Sequence, residues 1–257
     1  MTGSLAVLRN EVRLLRHDPV PPAILVAMPI VLMALLSRSM DLPLAYEGFN
    51  APGSTQTVPG MACVFAFFGV GILGFGVFRE HGWRTWTRLR LSGLSGPSLI
   101  LGKLLLPTLL LAGQHVILFA VGYQFLDLRA NGSWVAAALV ATCFSAVVLA
   151  AGLAATALLS TVQQLNAVTN LGAMIAGGLG GGFVPVSLLP DWVQPLAPGS
   201  PVKWAMDGYR TAFLEYDVGV RDVVNPCLVL LAFAAGFALV ATLALRRNID
   251  APKRTWG

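Results

Sequence analysis

The chain has 257 residues, of which 56% are hydrophobic and only 11% charged. A soluble domain carries roughly 25% charged residues, so this chain cannot cover a globule with polar surface in water, and lipid must cover most of it. Its formal net charge is +5, and the placement of those charges assigns the excess to topology and anionic lipid rather than to nucleic acid. Cys63, Cys143 and Cys227 each stand alone in apolar stretches, without CxxC or Cys/His spacing, so zinc is unsupported and they read as small apolar residues.

The chain opens with Leu5, Leu8, Val12 and Leu15 on one side of a helix and Arg9, Arg13 and Arg16 beside them. Over residues 1–18 that pattern suits an interfacial helix whose arginines snorkel to phosphates, ended by Pro19, Pro21 and Pro22. A fraying tail is the other reading. Arginines before an apolar run imitate a signal peptide, yet no small-x-small cleavage site follows. A membrane helix takes about 20 mostly apolar residues. Six stretches supply them, at about 20–37, 58–78, 104–126, 134–159, 167–189 and 223–245. No charged residue occurs between Trp134 and Pro190, and the polar run Thr161, Gln163, Gln164, Asn166, Thr169, Asn170 divides that stretch into two helices.

Orientation follows from the Lys/Arg bias of the loops. Six spans place both termini on one side, which then holds Arg9, Arg13, Arg16, Arg79, Arg84, Arg88, Arg90, Lys103 and the tail residues Arg246, Arg247, Lys253 and Arg254. The other side has Arg38, Arg129, Lys203, Arg210 and Arg221 among Asp41, Glu47, Asp191, Asp207, Glu215, Asp217 and Asp222. Both termini are therefore expected in the cytoplasm, in a cell membrane crossed several times.

The loop over 79–103 is the most informative stretch. It reads Arg79-Glu80-His81-Gly82-Trp83-Arg84-Thr85-Trp86-Thr87-Arg88-Leu89-Arg90-Leu91-Ser92, and Gly102-Lys103 closes it. On a helix, Trp83, Trp86 and Arg90 share one face while Arg84 and Arg88 sit a turn apart on another. Trp and Arg are the residue types of binding hot spots. Trp also anchors at lipid headgroups, so a docking helix and a lipid anchor both fit.

Further on, Gln114 and His115 fall in the middle third of the third span. Intramembrane polar residues are functional candidates, with a hydrogen bond between helices as the competing role. Gly177, Gly178, Gly180, Gly181 and Gly182 suit either close helix approach or an unwound segment. From 188 to 222, Pro190, Pro195, Pro198 and Pro201 forbid one continuous helix, while Trp192, Trp204, Tyr209 and Phe213 are anchors. Short helices dipping into the outer leaflet satisfy that pattern. Asp207 and Arg210, three apart, are expected to pair across a helical turn. There is no G-x-x-x-x-G-K-[ST], HExxH or GxSxG motif, so neither ATP binding by this chain nor hydrolytic chemistry is supported.

Two of these stretches resemble the type-2 ABC transporter permeases, most closely the actinobacterial drug- and antibiotic-export branch. One is Glu80, Gly82, Thr85-Trp86-Thr87-Arg88-Leu89-Arg90-Leu91-Ser92 with Gly102-Lys103-Leu104. The other is Leu189-Pro190-Asp191-Trp192 with Ser200-Pro201-Val202-Lys203-Trp204-Ala205-Met206-Asp207-Gly208-Tyr209-Arg210. The resemblance implies a single all-α polytopic membrane domain over 1–257, with residues 79–103 as a cytoplasmic coupling loop and 188–222 as an extracellular re-entrant segment. It implies that Glu80, Gly82, Trp83, Arg84, Trp86, Arg88 and Arg90 dock on a separate ATPase subunit. That subunit is expected in two copies, holding the ATP and Mg, with no cofactor or enzymatic role on this chain. A second permease, identical or related, completes the expected complex in a bacterial membrane. Its cargo would be amphipathic, drug-like or lipid-like. Gln114, His115, Trp192, Trp204, Asp207 and Arg210 are the candidates for the substrate path or gate. A stand-alone secondary transporter or channel, and a membrane scaffold or sensor, are the alternatives.

Overall fold

The computed structural model describes residues 20–71, 74, 96–129 and 131–249, together with Leu8, Arg9, Val12, Arg13, Leu15 and His17. Those six early residues are helical, with Leu8, Val12 and Leu15 half-buried and Arg9, Arg13 and His17 exposed. Among the described residues every regular element is a helix. In chain order these are α1 (Val20–Leu36), α2 (Asp41–Tyr46), α3 (Ser54–Ala66), α4 (Gly96–Phe125), α5 (Trp134–Leu158), α6 (Val162–Leu179), α7 (Pro201–Leu214) and α8 (Val224–Ile249). Short 3-10 turns at Arg38–Met40, Val186–Leu188, Gln194–Gly199 and Val220–Val223 join them.

The burial pattern is that of a protein packed for lipid. In α1, Leu25, Pro29, Met33 and the following Ser37 recur every fourth residue and are buried, whereas Ile24, Met28, Val31 and Leu35 face outward. An apolar face of that kind has no place in water and is ordinary in hydrocarbon. α3 is the opposite case: all its residues are buried, because α1, α4, α6 and α7 surround it. Its tightest contact is at Gly60, where a Cβ would lie 2.0 Å from the Gly182 carbonyl oxygen. Only glycine permits that backbone-on-backbone crossing, and the Gln56 amide holds it by donating 2.7 Å to the Gly181 carbonyl. α5 packs along α8 more extensively than any other two helices here. Small residues at Ala136, Ala137, Ala150, Gly152, Ala154 and Ala155 are buried along α5, which suits close helix approach.

Two of the expected spans take another form. The uncharged stretch is divided at Leu159–Thr161, where Thr161 caps α6 by accepting 3.2 Å from the Gln164 N–H, and the Gln164 side chain accepts 3.0 Å from the Ser160 N–H. The helix expected over 167–189 therefore starts earlier and stops at Leu179, since Gly181 takes φ +80° and Pro185 follows. The glycine tract serves as both a chain turn and a close crossing of α3. The stretch expected over 58–78 begins as helix at Ser54 and runs out of the described residues after 71. Among the described residues, Gly102–Phe125, Trp134–Leu158 and Val220–Leu245 are long and apolar enough to cross a membrane. Residues Pro22–Leu36 and Arg38–Tyr46, bent by 48°, form a fourth candidate if counted as one span. The chain is an all-helical, multi-pass membrane protein.

Candidate functional site

α7 lies across one end of the helix bundle, tied at both of its termini. At its start, Ser200 accepts 3.2 Å from the Val202 N–H and donates 2.7 Å to the Ala176 carbonyl at the end of α6. At its finish, the last-turn carbonyls of Ala212 and Phe213, which have no partner within the helix, accept from the N–H groups of Ser133 (3.1 Å) and Asn131 (3.2 Å). Gly132 fits between them because a Cβ would stand 3.0 Å from the Ala212 oxygen.

The charges of α7 are anchors too. Arg210 donates to Glu47, which also accepts from the Ser187 hydroxyl, so one carboxylate joins the loop after α2, the turn after α6 and α7 itself. The Arg210 and Glu47 side chains keep only 22% and 13% of their exposure, and the guanidinium lies 5.3 Å from the Phe49 ring centre. Lys203 pairs with Asp207 and sits 4.5 Å over the Trp204 ring, whose Nε1 donates 3.0 Å to the Pro198 carbonyl. The expected Asp207–Arg210 pair is therefore replaced. A nearly buried carboxylate at Glu47 needs a cation beside it and takes Arg210, while the more exposed Asp207 is matched by Lys203 one turn away. Trp192 stands apart, 76% exposed.

Gln114 and His115 are treated differently. Both are buried in α4, and neither the Gln114 amide oxygen and nitrogen nor His115 Nε2 has a hydrogen-bond partner. His115 Nδ1 faces the Leu111 carbonyl at 2.9 Å. A carbonyl only accepts, so that nitrogen carries the proton and Nε2 of the neutral ring is left as an acceptor. One helical turn further along α4, Phe119 lies 6.2 Å from His115 and 5.4 Å from Tyr209, whose buried hydroxyl is likewise unpartnered. Phe119 also meets Phe213 at 5.7 Å and Trp134 at 6.5 Å, and Tyr123 meets Trp134 at 5.9 Å.

The two groups of candidates are thus split: Trp204, Asp207 and Arg210 hold α7 in place, while Gln114 and His115 lie inside the bundle. Glu80, Gly82, Trp83, Arg84, Trp86, Arg88 and Arg90 lie outside the described residues. Sequence reading took Tyr209 only as an anchor and Glu47 only as a loop charge, and it did not single out Ser187. The one available signal for Glu47 was its scarcity value: with 12 acidic residues in the whole chain, each at a membrane edge needs a partner. Tyr123, Phe119 and His115 do recur every fourth residue, but nothing in sequence shows what faces them.

Residues 4–214 match the family model described as ABC-2 type transporter. The chain is similar to the linearmycin resistance permease protein LnrN of Bacillus subtilis, 30% identical over 145 residues covering 52% of this chain and 37% of that protein. It is also similar to the probable doxorubicin resistance ABC transporter permease protein DrrC of Mycobacterium tuberculosis, 26% identical over 234 residues, 86% of this chain and 78% of that protein. The chain spans little more than a third of LnrN's length.

Proposed function

We propose how this chain, which belongs to the ABC-2 type transporter family, works: as the membrane-spanning permease subunit of an exporter that moves an amphipathic, drug-like or lipid-like molecule out of the cell. The observation that carries this reading is the family match over 4–214 on an apolar helical body that has no nucleotide-binding motif. ATP and magnesium are then bound and ATP hydrolysed by a separate ATPase chain, present in two copies. The drug-resistance relatives favour a drug-like cargo.

The loop charges put both termini and the 79–103 loop in the cytoplasm, which makes the α7 end extracellular. Glu80, Gly82, Trp83, Arg84, Trp86, Arg88 and Arg90 are the residues that dock on the ATPase. α4 leaves that loop as one helix of 30 residues, about 45 Å long, so a push on the loop reaches the opposite membrane face through a single rod. The unpartnered Gln114 and His115 on that rod are the polar elements of the cargo path. A second permease, identical or related, fits against α6, which exposes Gln163, Gln164, Asn166 and Asn170. Carboxamides left facing lipid are unfavourable, and a partner helix relieves them.

The test is reconstitution of the chain with its ATPase in vesicles. ATP-dependent export and a complex mass of two permeases and two ATPases are expected. A lone monomer that transports without ATP would overturn the reading, as would labelling that places 80–100 and the C-terminal tail on opposite sides.

A further inference from the structure

The three cysteines stand far apart in the sequence, on α3, α5 and α8, yet the fold gathers them around α7. The joint is set by Gly208. A Cβ there would lie 2.7 Å from Val140 Cγ2 of α5 and 3.4 Å from Pro226 Cγ of α8, so the missing side chain lets α7 settle onto both helices. Cys143 comes three residues after Val140, on the same side of α5, and Cys227 directly follows Pro226. Their thiols are close enough to share a hydrogen bond. All three cysteines are free thiols. Cys63 is fully buried, whereas Cys143 and Cys227 keep 6% and 5% of their exposure. The Tyr209 hydroxyl, on the residue after Gly208, is fully buried without a partner and lies within electrostatic reach of all three thiols.

The joint therefore holds a thiol pair contributed by two different helices, with one free oxygen nearby. Its surroundings narrow what it could take. Neither α5 nor α8 before Arg246 carries a charged residue, so these helices offer no carboxylate to a hard ion such as magnesium or calcium. Among the described residues no three His, Cys, Asp or Glu side chains come together as a metal cluster, which leaves zinc short of its four ligands. Paired sulfurs select soft cations instead. A coordinating thiol gives up its proton to the metal. Two thiolates on a divalent ion then make a neutral unit, which an apolar core tolerates where it would reject an unpaired charge.

We propose that Cys143 and Cys227 form a two-thiol site for a soft divalent cation, held as a sulfur–metal–sulfur bridge that ties α5 to α8 beneath α7. On binding, two S–H bonds break and two sulfur–metal bonds form. The two protons leave with the ion's former ligands, and nothing is oxidised or reduced. The site stands independently of the export reading.

The probe is mercuric chloride, a neutral, lipid-permeant source of such an ion, added in equimolar amount to the purified full-length chain in lipid nanodiscs without reductant. Intact-mass spectrometry is expected to show the gain of one mercury and the loss of two hydrogens, which marks a bridge. An ion held by one sulfur would keep a chloride and displace a single hydrogen. Cys143→Ala and Cys227→Ala should each abolish the bridged species, and Cys63→Ala should retain it. The ion should raise the thermal midpoint of the unmodified chain and of Cys63→Ala, but of neither other variant. Mercury X-ray absorption of the unmodified chain, which depends on no variant folding, should show two sulfur ligands. Thiols that serve only as small apolar packing predict no bridge and no change of midpoint. No binding, a chloride-retaining adduct, a bridge that survives loss of Cys143 or Cys227, a bridge lost in Cys63→Ala, or a single sulfur in the absorption spectrum overturns the site.

Discussion

α7 and α4 both carry polar side chains into an apolar bundle, and they treat them in opposite ways. On α7, Lys203, Trp204, Asp207, Arg210 and the cap Ser200 all have partners. On α4, Gln114 lacks a partner at both amide atoms and His115 at Nε2. Each buried polar group without a hydrogen bond is unfavourable by about 1–3 kcal/mol, a penalty that the fold avoids throughout α7 except at the Tyr209 hydroxyl. The satisfied groups hold α7 in place; unpartnered atoms are not confined to α4, since Ser54 Oγ and Gln56 Oε1 of α3 and Thr169 Oγ1 of α6 lack partners too, so it is the mid-span position of Gln114 and His115 that fits the proposed cargo path. The lengths agree with this division, since α7 is a 14-residue helix strapped at both ends and α4 a 30-residue rod.

The strongest way to break this contrast is to attack the anchor. Glu47→Ala or Arg210→Ala leaves the other charge behind with little solvent. Removal of one partner of a fully buried pair is destabilising by about 3–5 kcal/mol, and the residual exposure here places the expectation near the lower end, roughly 3 kcal/mol. The thermal midpoint in detergent should fall clearly for either variant and recover in part when Glu47→Arg and Arg210→Glu are combined. Single variants that melt with the unmodified chain would show that α7 is held by its caps alone.

The drive to α4 can be cut instead. Trp86→Ala and Glu80→Ala are expected to leave the thermal midpoint unchanged while uncoupling ATP hydrolysis from export. Truncating a central aromatic anchor is worth about 2 kcal/mol, or roughly 30-fold in docking affinity. Pull-down with the ATPase, substrate-stimulated hydrolysis and vesicle export measure it. Normal export in both variants would make the 79–95 stretch a lipid anchor and shift the coupling contact to the N-terminal helix or to Gln163–Asn166.

What was legible in the sequence was local. Apolar length gave α4, α5 and α8, and the polar run at Thr161–Asn166 marked the α5–α6 break, because capping residues act on their own neighbours. Long-range pairings were not legible. Glu47 and Arg210 are 163 residues apart, and three-residue spacing on one helix made Asp207 the more economical guess for Arg210. The α6 end was misplaced because glycine and apolar residues continue past Leu179 without a change in hydropathy, whereas the backbone turns there to cross α3 at Gly60. Gln114 and His115 were found as polar intruders, but the absence of partners, which distinguishes a vacancy from a helix–helix hydrogen bond, exists only in three dimensions.

Sharpening the α4 half of the comparison calls for a variant with effects of opposite sign. Gln114→Leu removes two unsatisfied atoms at nearly constant volume and is expected to raise stability by about 1–2 kcal/mol. Export by the reconstituted complex should fall in the same variant. A lower thermal midpoint would mean that Gln114 has a structural partner, and unchanged export would remove it from the cargo path.

The smallest effect is expected at Asp207, and it tests the comparison from the α7 side. Its pair with Lys203 spans one helical turn, with side chains 24% and 42% exposed. Partly solvated i,i+4 pairs contribute roughly 0.3–0.5 kcal/mol, and a chain of this size shifts its midpoint by only about 2–4 °C per kcal/mol. Asp207→Asn should therefore move the midpoint by less than about 2 °C. The shift should shrink further in high salt, because exposed charges are screened over about 10 Å at 0.1 M ionic strength. Lys203 would keep its place over the Trp204 ring, so α7 should not move, and export should stay near that of the unmodified chain. A large loss of export with an unchanged midpoint would instead mean that Asp207 meets the cargo directly, and satisfied polar groups could no longer be read as anchors alone.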